Sequence, residues 1–308
     1  MYELPSYLLW ASKNGHEDLV KCLLDFGVDV NARNPASQNQ YTPLHYANNE
    51  AIAKLLLDHG ADVNARNQRQ CVPLHNAQNA AIVKLLLDHG ADVHAIDDAE
   101  RIPLHYTRTE AMVKLLLDHG ADVNASDRYQ RTPLYFARNA AKMKLLLDHG
   151  ADVNARDEDQ RTPLHHMISG NVANARLLVN GGAQLTAVNE FGQNALHIAA
   201  KWAKKNICLF LVSRGLDPNI ADNEGGTALT IYGNPMNPPL TDEQKQEAVN
   251  ELLAARDAYF QRIRDEHWKK NWPLMNTLTS SGLRPLAVEV TALALEQASL
   301  DTSVSLTE

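Results

Sequence analysis

A repeat of 30 residues constrains this sequence more than any other feature. The tetrapeptide TPLH and its variants begin, at this constant spacing, at Thr42, Val72, Ile102, Thr132 and Thr162. A second marker, LLLDHGADV, recurs in the same phase, with its glycine at Gly60, Gly90, Gly120 and Gly150. Two markers that keep one phase over so much of the chain predict a solenoid, in which each unit buries its apolar face against its neighbours.

Each unit carries the signals of two short helices. In TPLH the threonine suits an N-cap, and the proline suits the first helical position, where its missing N–H costs nothing. Leu74 and Ala77 are three residues apart, as on one face of a helix. The second helix contains KLLLDHG, an apolar patch that ends in a glycine suited to the C′ position.

These motifs resemble the ankyrin repeat, whose TPLH-x-A signature and helix–turn–helix design they match. The resemblance covers about residues 6 to 232, with seven recognisable units and the start of a divergent eighth at Thr227. It implies an all-α solenoid with β-turn loops and a C-terminal helical cap. It also implies that the signature histidines hydrogen-bond the backbone of a neighbouring loop; these are His45, His75, His105, His165 and His197.

The sequence departs from the family pattern in two ways. Four repeats have 30 residues instead of about 33, which predicts a first helix shortened by nearly one turn. The glycine before TPLH is also replaced in most loops, and because glycine supplies a positive φ, we expect another turn geometry there. The replacements are Gln40, Gln70, Glu100, Gln130 and Gln160, whereas Gly192 and Gly226 (or Gly225) keep the glycine.

The register changes after residue 232. Residues 233–264 are predicted to form a capping helix that starts with a capping box at Thr241 and Gln244. Its buried stripe should contain Val249, Leu252, Leu253, Tyr259, Phe260 and Ile263. Residues 265–308 are predicted to be a helical extension with a flexible tail, in which Trp268 and Trp272 pack against the cap. A cap, a docking box and a secretion signal stay open as roles for this extension.

Composition excludes several classes of partner and site. A net charge of −8 and a pI of about 5.9 argue against nucleic acid. No run approaches the roughly 18 apolar residues of a membrane span, and the N-terminus does not resemble a signal peptide. Cys22 and Cys208 are interpreted as core residues, and Cys71 as a loop-tip thiol. A free thiol there fits a reducing compartment, so we expect a cytoplasmic protein.

No residue is predicted to be catalytic or to bind a cofactor or metal. Known nucleophile and phosphate-loop motifs are absent from the sequence. The signature histidines should lie about 10 Å apart, the spacing of packed helices, which is too far for one metal ion. The histidines of the second helices, interpreted as part of a solvated face, are His59, His89, His119 and His149. An enzyme is therefore the least favoured function.

The resemblance implies that a protein partner docks on a concave face made by loop tips and first helices. Aromatic and arginine residues, which are enriched in binding hot spots, occur there. The candidate partner-binding residues are Tyr46, Arg69, Arg101, Tyr106, Tyr129, Arg131, Phe136, Arg161 and Phe191. The arginines of a net-acidic protein suggest an acidic or phosphorylated segment on the partner. Alternatively, the aromatic rings are half-buried packing and the arginines only aid solubility.

The leading functional hypothesis is a monomeric adaptor or scaffold without enzymatic activity. The alternative is a secreted bacterial effector, in which the repeats position a C-terminal segment in the host cytosol. The near-identical, abbreviated repeats resemble the ankyrin proteins of bacteria that live inside host cells.

Overall fold

The computed structural model describes residues 4–33, 39–167, 172–232 and 241–280, with the backbone alone for residues 167 and 267–280. The chain forms two compact units, residues 1–158 and residues 159–308. Among the described residues, no helix is long and apolar enough to cross a membrane.

The first unit is built from successive helix pairs joined by tight loops. Its helices are α1 (Leu4–Asn14), α2 (Glu17–Asp25), α3 (Pro43–Tyr46), α4 (Glu50–Asp58), α5 (Pro73–Asn76), α6 (Ala80–Asp88), the 3₁₀ helix η1 (Pro103–Tyr106), α7 (Glu110–Asp118), the 3₁₀ helix η2 (Pro133–Phe136) and α8 (Ala140–Asp148). Where this unit is described, helices are the only regular elements.

The first helices of the 30-residue repeats are short, as predicted. Each spans 4 residues, whereas the fuller repeat of the second unit has a first helix of 7 residues, Ala195–Lys201. The next helix starts almost at once, because its own N-cap lies only three residues further on. Asn49 illustrates this arrangement, since its side-chain oxygen accepts a hydrogen bond of 2.9 Å from the backbone N–H of Ile52.

The second helices supply most of the apolar core. In α4 the residues facing the core are Ile52, Ala53, Leu56 and Leu57, which form one stripe of the helix. The helix ends at Asp58, and Gly60, two residues further on, has a φ of +83° that closes a Schellman-type cap. The N–H of Gly60 bonds to the carbonyl of Leu57, and the N–H of the next residue bonds to Leu56.

The expected change of turn geometry in the central loops is wrong. The residues that replace glycine keep a positive φ of 49–61°; they are Gln40, Gln70, Glu100, Gln130 and Gln160. The reason lies at the base of each loop, where the Asn67 side chain, for example, accepts from the N–H groups of Arg69 and Cys71. A positive φ costs a non-glycine residue roughly 1–2 kcal/mol. The two hydrogen bonds hold the turn in this conformation despite that cost. In the last loop Gly225 has the positive φ.

The second unit continues the pattern and ends in a long helix. Its helices are α9 (Pro163–Met167), α10 (Val172–Asn180), α11 (Ala195–Lys201), α12 (Lys205–Val212), α13 (Ala228–Ile231) and α14 (Asp242–Ser280). An isolated antiparallel bridge joins Ala221 and Thr227.

Helix α14 packs against α12 and begins as the sequence predicts. Thr241 and Gln244 exchange the two bonds of a capping box, at 3.0 and 3.2 Å. Leu252 is buried, but Phe260 is 43% exposed, so its predicted burial is wrong. Phe260 lies one position, about 100° around the helix, from Tyr259, which occupies the space beside Gly215.

The helix is also longer than predicted, since it continues to Ser280. The predicted packing of Trp268 and Trp272 falls on residues whose side chains lie outside the described part. The rest of the predicted extension and its flexible tail, after residue 280, lie outside the described residues as well.

Two of the three cysteine predictions are wrong. Cys22 is exposed because it lies on the outer side of α2, opposite the buried Val20 and Leu24. Cys71 is buried, with its sulfur 4.0 Å from a carboxylate oxygen of Asp97. Cys208 is buried, as predicted.

Candidate functional site

The signature histidines fix the loops to the first helices. His45 shows the pattern: its Nε2 donates to the carbonyl of Cys71 at 2.9 Å, and its Nδ1 accepts from the N–H of Thr42 at 3.1 Å. The ring is therefore neutral and carries its proton on Nε2. Burial lowers the pKa of His45 to about 4. The equivalent bonds run from His75 to Arg101, His105 to Arg131, His165 to Gln193 and His197 to Ile220.

These bonds confirm the structural role that the resemblance implied. They also set the position of the loop residues that follow each turn, because the accepting carbonyl usually belongs to one of them. The loops are joined to one another as well, for example by a bond from the N–H of Arg128 to the carbonyl of Ala99.

A buried carboxylate organises the loop before η2. The Oδ1 atom of Asp127 accepts from the backbone N–H groups of Tyr129 and Arg131, at 2.9 and 3.0 Å. Its Oδ2 atom accepts from Arg101 Nε at 3.0 Å and from Arg131 Nη2 at 2.9 Å. Burial alone raises the pKa of Asp127, but the hydrogen bonds from Arg131 and Arg101 outweigh it and hold the pKa below its ordinary value.

The two arginines alternate with three aromatic rings. The guanidinium carbon of Arg101 lies 5.8 Å from the ring centre of Tyr106 and 5.0 Å from that of Phe136. The guanidinium carbon of Arg131 lies 5.2 Å from Phe136 and 4.6 Å from Tyr129. All these distances allow cation–π attraction. We call Tyr106, Arg101, Phe136, Arg131 and Tyr129 the aromatic–arginine ladder.

The ladder presents cations and rings to solvent while its carboxylate is hidden. The side chain of Asp127 has no exposed surface, whereas those of Arg101 and Arg131 are 21% and 25% exposed. Tyr129 is 45% exposed. Tyr106 is held in place by its hydroxyl, which donates to Asp97 Oδ2 at 2.5 Å.

The structure thus brings together five of the nine predicted contact residues. Of the others in this unit, Tyr46 packs against Tyr41, with ring centres 5.0 Å apart, and lies beneath the Lys13 ammonium group. Arg69 is exposed and forms an ion pair with Asp98 at 3.4 Å.

Arg161 and Phe191 belong to the second unit, where they line a cavity of about 490 Å³. The cavity is also lined by Trp202, Gln193 and Lys201, together with the acidic side chains Asp222 and Glu224. Phe191 and Trp202 are 48% and 55% exposed. Arg161 pairs with Asp159 at 2.7 Å.

Asn189 lies at the base of the loop that enters this cavity. Its Oδ1 accepts from the N–H groups of Phe191 and Gln193 at 3.0 and 2.9 Å, as Asp127 does in its own loop. The side chain is buried, and its Nδ2 atom has no acceptor in the described part of the chain. Asn189 is therefore a buried donor at a position where the loop of Asp127 has an acceptor.

Sequence reasoning missed the residues at the bases of the loops. These positions form a column in the aligned repeats: Asn67, Asp97, Asp127, Asp157, Asn189 and Asp222. An acidic or amide residue at one fixed phase of these six loops was the available signal. Trp202 was also missed, and its position after a helix of the fuller repeat gave no signal.

The residues that the structure describes contain no group of three or more His, Cys, Asp or Glu side chains arranged to hold a metal ion. The polar groups of the aromatic–arginine ladder and of the cavity in the second unit are arranged as hydrogen-bond donors and ion-pair partners. This arrangement can bind acceptor groups and planar apolar groups.

A family model described as ankyrin repeats (3 copies) matches residues 5–67, 70–157 and 138–222. Together these matches cover well over half of the 308 residues and include both the ladder and the loop of Asn189.

Proposed function

Since this chain belongs to the ankyrin-repeat family, we propose that it is an adaptor that binds a partner protein through the aromatic–arginine ladder. Ankyrin repeats are generally protein–protein interaction modules, and the family is typically non-enzymatic. The proposal places the contact in the first unit and gives the chain no catalytic role.

The observation that carries the proposal is the fixed geometry of the ladder. Arg101 and Arg131 are held by a carboxylate that has no exposed surface, and each guanidinium lies against two rings. Ordering a free side chain on binding costs about 0.5–1.5 kcal/mol. A surface of aromatic and arginine residues that is already ordered avoids much of this cost, and these residue types dominate hot spots.

The proposed partner carries an acidic or phosphorylated segment at this contact. A guanidinium has five N–H donors, of which Asp127 accepts one from Arg101 and two from Arg131. Because Asp127 lies beneath them, the charge that approaches the partner is positive. Tyr46, Arg69, Arg161 and Phe191 are proposed as further contacts.

We also propose that the protein acts as a monomer in the cytoplasm. Its three cysteines are unpaired, and Cys22 is exposed. An exposed free thiol persists most readily in a reducing compartment.

The test is capture of partners from a cell lysate by the full chain and by a Tyr106→Leu, Phe136→Leu, Arg131→Lys variant. These changes keep an apolar side chain at each ring position and the cation beside Asp127, but they remove two rings and one planar guanidinium. We expect the affinity for the captured partner, measured with purified protein, to fall about 30-fold or more, which is the effect of losing a hot spot of about 2 kcal/mol.

A matched control carries Lys84→Ala, Lys114→Ala and His119→Ala, which change exposed side chains in second helices or directly after one. It should bind like the wild type. Equal binding by the ladder variant, at an unchanged melting temperature, would place the contact surface elsewhere.

A further inference from the structure

The cavity of the second unit contains an aromatic ring that lacks the cation found in the ladder. Phe191 and Tyr129 occupy equivalent places, each one residue before the residue with positive φ. The guanidinium carbon of Arg131 lies 4.6 Å from the ring centre of Tyr129. Gln193 stands at the position equivalent to Arg131, and no cationic group of the described chain lies over Phe191.

A second uncovered ring, that of Trp202, lines the same cavity of about 490 Å³. Trp202 follows α11 directly, and its side chain, like that of Phe191, is exposed. Within the described residues neither ring contacts another ring or a cation. Because the face of an aromatic ring attracts cations, two such rings in one cavity favour a cationic ligand.

Asp222 gives the cavity a negative charge that no ion pair in the described part of the chain balances. Its Oδ2 accepts from Gln193 Nε2 at 3.1 Å, and its Oδ1 accepts from the backbone N–H groups of Glu224 and Gly226 at 3.0 and 2.8 Å. All three donors are neutral, whereas Asp127 accepts from two guanidinium groups. Burial alone raises the pKa of Asp222, but the hydrogen bonds from Gln193 and the backbone outweigh it and hold the pKa below its ordinary value. Asp222 is therefore ionised at neutral pH.

The other charged groups leave the cavity with a net negative charge. Glu224 lines it with an exposed carboxylate that has no partner among the residues that the structure describes. Arg161 is already paired with Asp159 at 2.7 Å. Lys201 contributes one exposed ammonium group. Two unbalanced carboxylates against one ammonium group therefore favour a ligand with a single positive charge.

We propose that this cavity binds one arginine side chain of a partner protein. The guanidinium group lies against Phe191 and Trp202 and donates hydrogen bonds to the Glu224 carboxylate. The negative charge of Asp222 strengthens this attraction. The partner thus supplies the cation that Arg131 supplies in the ladder.

Arginine fits this cavity better than lysine does. A planar guanidinium stacks on aromatic rings and still directs N–H donors at a carboxylate, whereas an ammonium group is a point charge. The proposal rests on the proposed protein-binding function, and it adds a basic contact on the partner at a site separate from the ladder.

The test uses a phage-displayed library of random 12-residue peptides, selected on the full chain. Peptides that also bind a Trp202→Leu, Glu224→Gln variant are removed, which discards those that bind the ladder. We expect the remaining peptides to be enriched in arginine. In the best synthetic peptide, citrulline in place of that arginine keeps the planar shape and removes the charge. Binding should then weaken about ten-fold or more, because the attraction to the rings and the charge-assisted hydrogen bonds are lost together.

Replacing Lys201 tests the sign of the ligand's charge. Lys201→Gln removes the ammonium group that competes with the peptide's arginine, so binding of the arginine peptide should strengthen about two-fold or more. A ligand that bound through a carboxylate would be weakened by the same change. Weaker binding of the peptide to Lys201→Gln would therefore overturn the proposal.

Matched controls make the same chemical changes outside the cavity. Trp10→Leu replaces an exposed ring of the first unit, and Glu190→Gln neutralises an exposed acid directly before Phe191. Both variants should bind the arginine peptide within about two-fold of the wild type. The citrulline comparison uses the wild-type protein, so its outcome does not depend on how well any variant folds.

A direct readout is the indole N–H resonance of Trp202 in a ¹⁵N spectrum, identified by its loss in the Trp202→Leu, Glu224→Gln variant. It should shift when the arginine peptide is added and shift much less with the citrulline peptide. Selected peptides without arginine, equal binding of the citrulline peptide, or an unshifted Trp202 resonance would overturn the proposal.

The ladder variant separates this inference from the proposed contact surface. If it loses the cellular partner while no arginine peptide is selected, the cavity proposal alone is refuted. If it keeps the partner while the Trp202→Leu, Glu224→Gln variant loses it, the ladder is refuted and the cavity proposal is supported.

Discussion

Replacing Lys142 by methionine is expected to stabilise the first unit. Lys142 is only 3% exposed, and it stands in a column of the aligned second helices where the other central repeats have Ile52, Ile82 and Met112. Its ammonium group donates to the carbonyl of Thr107 at 2.9 Å. Burial lowers the pKa of Lys142 to about 8. The chain therefore keeps a cation in its core with a backbone carbonyl as its closest hydrogen-bond acceptor.

The size of the effect follows from that pKa. A folded-state pKa of about 8, against 10.5 in the unfolded chain, corresponds to about 3 kcal/mol of destabilisation at neutral pH. Methionine removes this penalty and keeps the volume, but it leaves the carbonyl of Thr107 without its donor, which costs about 1 kcal/mol. The Lys142→Met protein should therefore unfold with a free energy about 2 kcal/mol higher than that of the wild type.

The pH dependence tests the cause. Between pH 8 and 10.5 the unfolded chain binds a proton at Lys142 that the folded chain has released. The stability of the wild type therefore rises with pH across this window relative to that of the variant. The advantage of Lys142→Met should shrink accordingly from pH 7 to pH 10. Urea unfolding followed by circular dichroism measures both values.

Lys144→Met is the control, because Lys144 lies on the same helix with its side chain 63% exposed. It should change the free energy of unfolding by less than about 0.5 kcal/mol at either pH. A destabilised Lys142→Met protein, or a difference between it and the wild type that stays constant with pH, would refute the argument.

Two further predictions concern backbone strain and acid. Gln130→Gly should raise the free energy of unfolding by about 0.5–1 kcal/mol, because glycine tolerates the φ of +59° at this position. The control is Gln68→Gly, at a position without positive φ, which should lower the free energy of unfolding. Urea unfolding measures both values. For His45, with its pKa lowered to about 4 by burial, stability is present above pH 6.5 and is lost as pH falls towards 4, by up to about 3 kcal/mol. A His45→Gln variant should show a flatter dependence over this range, and equal slopes in urea unfolding at several pH values would contradict this role.

The parts of the fold that follow from repeated local signals were predictable from the sequence. The phase of TPLH and of the helix-ending glycine placed the helices, and the missing residues between helices correctly indicated short first helices. The turn prediction failed because it used the residue at the turn alone. The positive φ is held by a side chain at the base of the loop. Asn67 is an example, since its side-chain oxygen accepts hydrogen bonds from two backbone N–H groups of the loop.

The candidate site was predictable in its residue types and less so in its chemistry. Tyr106, Phe136 and Arg131 were identified from their phase in the repeat, and the structure brings them into one ladder. The ion-pair partner of Arg131 was not identified, because Asp127 belongs to a column of polar residues of the kind that is common in loops. Whether an arginine meets a carboxylate of its own chain depends on contacts between successive repeats, which one repeat viewed alone does not show.

Aligned repeats act as natural substitutions of one another, and the loop-base column shows what such a substitution can change. Asp127 accepts hydrogen bonds from Arg101 and Arg131 through a carboxylate that solvent does not reach, so both guanidinium groups are held from beneath. Asn189 keeps the same two backbone bonds, and therefore the same turn, but replaces the acceptor by a donor. The exchange of one oxygen for one NH₂ keeps both backbone hydrogen bonds of the loop and replaces a buried acceptor by a buried donor. A buried position can thus exchange a hydrogen-bond acceptor for a donor while the turn around it stays constant.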